Sequence, residues 1–82
     1  MDLRKARQKR GWTLERVAEL VGTTPMSVSR HETGQSFPRP DPLDRYLALY
    51  HGDVTEEEIR ATYLKIQKAR AAQAPPKEET VP

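Results

Sequence analysis

The residues able to do chemistry in this 82-residue chain are few and unevenly placed. Cysteine is absent, so there is no thiol nucleophile and no cysteine-ligated zinc. His31 and His51 are the two imidazoles, and no carboxylate stands near either at a metal-box spacing. The chain holds no nucleophile–base pair and no glycine-rich phosphate loop, which argues against an enzyme, a metal and a cofactor. The run Glu56-Glu57-Glu58 reads as charge facing a helix N-terminus. The chemistry in supply is cationic. Residues 1–39 hold eight Lys/Arg against four Asp/Glu, a net of +4, and residues 40–82 hold six against eight, a net of −2. A basic surface on one part of a small domain is the footprint of a phosphate-binding face.

Such a face needs elements to hold it. The length supports one small domain, and 35% hydrophobic against 32% charged residues leaves a modest core with a polar skirt. No apolar run is long enough to span a membrane, and Met1-Asp2-Leu3-Arg4-Lys5 has no apolar stretch behind its charges. The expectation is a soluble, cytoplasmic protein with no membrane partner. Asp2 caps a first basic helix over 2–10, closed by Gly11. Thr13 caps a second, with Val17, Ala18, Leu20 and Val21 as its apolar face, stopped by Gly22. Thr24 caps a third over 25–33, with Pro25 at its first position, where no N–H is needed.

Three prolines and a glycine make 33–42 a loop. A fourth helix is expected over 43–50, capped by Asp41 with Pro42 at its first position. Thr55 and Glu58 form a capping box for a fifth, which fades near Gln73. Residues 74–82 read as a disordered tail. Tyr46 and Tyr50 are expected in the core, and Trp12 and Phe37 as packing groups. His31 is expected to be packed or bonded to a partner.

Residues 13–33 are the informative unit. Two short helices meet at a tight turn, Gly22-Thr23-Thr24. Ala18 stands where they would cross closely, and Val17, Val21 and Val28 would pack them on the remainder of the domain. This is a helix-turn-helix pattern, and its second helix is the one able to enter a major groove. Residues 3–50 resemble the phage-repressor and Cro-type family, also called xenobiotic-response-element-like. The match runs through Ala6-Arg7, Gly11, Val17-Ala18, Gly22, Ser27-Val28-Ser29 and Glu32-x-Gly34, with prolines following.

The resemblance implies an all-α, compact five-helix, lambda-repressor-like domain in which Arg7 pairs with Glu32 as an architectural ion pair. It implies base contacts from Pro25, Met26, Ser29 and Arg30. Arg30 has a fork that fits guanine O6 and N7, and Met26 could pack on a thymine methyl. Phosphate contacts are expected from Arg10, Thr13, Arg16, Thr24, Ser27, Gln35 and Arg39, together with backbone N–H groups at helix N-termini. The sequence departs from the family at Leu14, Pro25 and Met26, where glutamine is common, and at His31, usually apolar or aromatic.

The domain division expected is 1–53 as the helix-turn-helix domain and 54–73 as a C-terminal helix that completes the core or dimerises through Ile59, Tyr63 and Ile66. The function expected is a sequence-specific regulator of transcription: a homodimeric repressor, phage- or plasmid-type or antitoxin-like, on a pseudo-palindromic operator in double-stranded DNA. The alternative is a protein-interaction module that uses the same fold to bind transcription machinery or another regulator.

Overall fold

The computed structural model describes residues 1–73. The tail expected over 74–82 lies outside the described residues. Five helices follow in order: α1 (Leu3–Lys9), α2 (Leu14–Val21), α3 (Pro25–Thr33), α4 (Pro40–Leu49) and α5 (Glu56–Gln73). The described residues contain no strand, and the chain is an all-α domain.

Local side-chain chemistry starts four of these helices. Asp2 accepts from the Lys5 N–H, Thr13 from Arg16 and Thr24 from Ser27, each satisfying a donor that the first turn leaves without an intrahelical partner. At α5 the capping box closes in both directions. Glu58 N–H donates to Thr55 Oγ1 at 3.2 Å, and Thr55 N–H donates to Glu58 Oε1 at 2.9 Å.

The fourth start differs from expectation. α4 opens at Pro40 rather than near Leu43, its N-cap is Arg39 instead of Asp41, and no side chain caps it. Pro40 and Pro42 both fall in the first turn, where a missing N–H costs nothing and the ring pre-sets φ. Asp41 sits between them, its charge facing the positive helix end.

α2 and α3 are joined at Gly22, whose φ of 74° is the left-handed conformation that closes a helix without a Cβ penalty. Gly22 and Thr23 N–H both donate to the Ala18 carbonyl, at 2.9 and 3.0 Å. Ala18 itself is buried, as the close crossing requires. The core contains Leu3 and Ala6 of α1, Val17, Ala18 and Val21 of α2, Val28 of α3, Leu43 and Tyr46 of α4, then Tyr50, Val54 and Ile59. Trp12 and Phe37 pack half-buried against it.

α5 packs on this core, one of the two roles expected for it. Ile59 is buried within the single chain. The Tyr63 ring meets Phe37 edge-on at 5.8 Å. Ile66 lies so close to Gly34 that a Cβ there would stand 2.7 Å from it. Within the single chain this stripe finds apolar cover on Phe37 and the α3 C-cap.

Candidate nucleic-acid interface

α3 carries the candidate reading residues, and its inner side shows how it is held. Arg7 Nε donates to Glu32 Oε2 at 2.6 Å and Nη2 to Oε1 at 3.2 Å, a two-pronged pair in which the Glu32 side chain is only 4% exposed. Arg7 Nη1 also donates to the Trp12 carbonyl at 2.9 Å. The Glu32 hydrogen bond holds the guanidinium pKa above its ordinary value. His31 Nδ1 lies 2.9 Å from the Tyr46 hydroxyl, both groups buried, and burial lowers the imidazole's pKa. α3 is thus tied by one side chain to α1 and by the next to α4.

The outer side is open. Pro25, Met26 and Arg30 are exposed, Met26 at 62%, and Ser29 is half-buried. Met26 and Arg30 are one turn apart, as are Pro25 and Ser29, so the four share one flank of the helix. Arg30 joins no ion pair among the described residues.

The residues expected at phosphates divide. Thr13 and Thr24 are exposed, but their hydroxyls already cap helices; Thr24 Oγ1 also donates to Ser27 Oγ at 3.0 Å. Arg16 is exposed and pairs loosely with Glu19 at 3.4 Å. Gln35 is exposed, and its carbonyl accepts from Gln67 Nε2 at 3.4 Å. Arg39 is exposed and lines an open cleft of about 380 Å³ with Gly22, Pro40, Asp41 and Pro42. Arg10 departs from expectation. Its Nη2 meets Asp53 Oδ2 at 2.9 Å, and its guanidinium lies 5.0 Å from the Tyr50 ring centroid and 5.7 Å from that of Trp12. This cation is committed to joining α1 to the α4–α5 turn. Arg10 and then Lys9 hold the Asp53 carboxyl below the usual carboxylate range.

Sequence reasoning missed Arg45. Its guanidinium reaches the α2–α3 turn, where a Cβ on Gly22 would stand 2.5 Å from Nη1. The glycine leaves room for that arginine as well as for the backbone turn. With Arg39, it gathers two cations at the turn that leads into α3. No local signal could reveal this, because 23 residues separate Gly22 from Arg45.

A helix-turn-helix whose second helix is anchored inside and bare outside defines a DNA-binding class. The family comparison agrees: residues 2–61 match the helix-turn-helix domain family, and the chain belongs to it. No curated protein and no solved structure matches the chain. No described helix is long and apolar enough to cross a membrane.

Proposed function

We propose that the protein is a sequence-specific regulator of transcription, a repressor of the phage-repressor and Cro type that occupies a pseudo-palindromic operator as a homodimer. The observation that carries this reading is the contrast across α3, with Glu32 and His31 bonded inward and Met26 and Arg30 exposed outward. In this reading Arg30 donates to a guanine and Met26 packs on a thymine methyl, with Pro25 and Ser29 against neighbouring base edges. Thr13, Arg16, Thr24, Ser27, Gln35 and Arg39 lie along the phosphates, with Arg45 added and Arg10 withdrawn. Repression follows from occupying a promoter.

The exposed Met26 supports a second reading, a protein-interaction surface on the same flank. Selection from a pool of random duplexes separates the two. The DNA reading expects one enriched palindrome with half-sites about 10–10.5 base pairs apart. It also expects affinity to fall with salt at a log–log slope of about −0.9 per phosphate neutralised. No enrichment, with negligible duplex affinity at low salt, would move the assignment to a protein partner.

A further inference from the structure

The cleft beside the α2–α3 turn measures about 380 Å³ and is lined by Gly22, Arg39, Pro40, Asp41 and Pro42. That size falls within the range of small-molecule sites. Two guanidiniums border it. Arg39 stands on its wall, and Arg45 reaches the same turn, its Nη1 only 2.5 Å from where a Gly22 Cβ would be. Neither arginine joins an ion pair among the described residues, with Asp41 or with any other carboxylate. Arg7, Arg10, Arg16 and Arg60, by contrast, each have a carboxylate partner. Two unpaired cations at one concavity repel each other, and an anion placed between them is attracted by both.

Rigid groups shape this concavity. Pro40 and Pro42 fix φ in the first turn of α4, and glycine at position 22 leaves the room that Arg45 fills. A site formed before its ligand arrives loses less affinity to ordering.

Charge and hydrogen bonding select the ligand class. Each guanidinium presents a planar fork that matches phosphate oxygens. A phosphate monoester carries nearly two negative charges near neutral pH, enough to answer both arginines. A diester such as the DNA backbone carries one. Asp41 accepts hydrogen bonds and donates none, so it favours a ligand with hydroxyl or amino groups and opposes a backbone that offers neither.

We propose that this cleft binds a small phosphate monoester bearing hydroxyl or amino donors, its phosphate between Arg39 and Arg45 and its donors on Asp41. An occupied cleft engages two of the cations assigned to DNA phosphates, at the turn that leads into α3. The ligand and a duplex would then each lower the other's affinity. That consequence rests on the DNA-binding reading, while the site itself does not.

Backbone amide shifts of the full chain test the site, followed by NMR at constant ionic strength. The probes are inorganic phosphate, glycerol phosphate and dimethyl phosphate. The first two should move the Gly22, Asp41 and Arg45 amides saturably, glycerol phosphate at the lower concentration. Dimethyl phosphate should bind about tenfold more weakly or less, having one charge and no donor. Arg39→Gln and Arg45→Gln should each weaken glycerol phosphate about tenfold with unchanged helicity by circular dichroism, since each removes a charge-assisted contact. Asp41→Asn should narrow the gap between glycerol phosphate and dimethyl phosphate.

Shifts that never saturate, or that spread equally over Arg4, Lys5 and Lys68, would overturn the proposal, as would arginine variants without effect. Dimethyl phosphate binding as tightly as the monoesters would overturn it in favour of a backbone contact. Glycerol phosphate that binds while no duplex is selected would remove the DNA reading and keep the cleft. A selected duplex beside a cleft that takes no monoester would do the reverse. Where both bind, saturating glycerol phosphate should weaken the duplex and make its log–log salt slope shallower by about one per arginine engaged.

Discussion

α3 and α5 each turn one face into the same core, but buried polar bonds anchor α3 where apolar contact dominates on α5. The inner side of α3 buries Val28 and adds two polar groups with one directional partner each: Glu32 on Arg7 and His31 on the Tyr46 hydroxyl. The inner side of α5 uses apolar contact, with Ile59 buried, Tyr63 on Phe37 and Ile66 on Gly34, plus the Gln67 hydrogen bond. Apolar burial is non-directional and specifies only which side faces in. A short hydrogen bond in a buried setting also specifies rotation about the helix axis. The tighter specification falls on the helix whose outer residues meet base edges in the proposed function, where small errors in angle lose contacts.

Breaking the polar anchor should have the largest effect. Arg7→Ala leaves the buried Glu32 carboxylate without its cation and should cost about 3–5 kcal/mol in urea unfolding. The corresponding change on α5, Arg60→Ala, removes an exposed pair with Glu56 and a stacking contact 4.7 Å from the Phe37 ring centroid. It should cost about 1 kcal/mol or less. Equal losses would show that the two helices are held alike.

The junction between the two helices ranks next. Gly34 has φ 82°, and a Cβ would stand 2.8 Å from the Thr62 carbonyl oxygen as well as against Ile66. Gly34→Ala should lose about 1–2 kcal/mol of stability to left-handed strain, with a further loss as α5 is pushed away. Gly11→Ala, at φ 70° with nothing within 4 Å, should show the strain alone. A similar Tm drop in both would mean that α5 gives way freely.

The outer flank of α3 can be tested without unfolding anything. Arg30→Ala should relax preference at one base pair per half-site by about 1–3 kcal/mol, with affinity for random duplex largely kept. A uniform loss over all sequences, read by competition binding, would make Arg30 a phosphate contact.

The smallest effect concerns pH. Burial lowers the His31 pKa below its ordinary value of about 6.5, so the unfolded chain binds the proton first. Stability should be full above that value and decline as pH falls from it toward the folded-state pKa. His31→Gln should flatten the decline in a melting series between pH 7 and 5. The low Asp53 pKa adds its own loss only at more acidic pH, as pH falls through the carboxylate range. A slope unchanged by His31→Gln would place the titration elsewhere.

Much of this arrangement was legible along the chain, because its causes act within one helical turn. Asp2, Thr13, Thr24 and Thr55 each bond a donor three residues on, so the type and spacing of two residues suffice to place a helix start. Val17 and Val21 of α2 reveal its inner side by their spacing of four. The start of α4 was misplaced because Pro40 and Pro42 are both compatible with a first turn, and Asp41 caps equally well on paper.

What only the tertiary structure decided is which side chains meet across the chain. Arg10 and Asp53 are 43 residues apart, and their contact withdraws a cation from the surface that composition alone assigns to phosphate. Arg45 reaches Gly22 by the same kind of crossing. The apolar stripe of α5 predicts a covered face but not its cover; Phe37 and Gly34 supply that cover within one chain. Local hydrogen bonds and periodicity are properties of neighbouring residues and can be read in order. Long-range pairings depend on the angles at which helices cross, and those are set by the core as a whole.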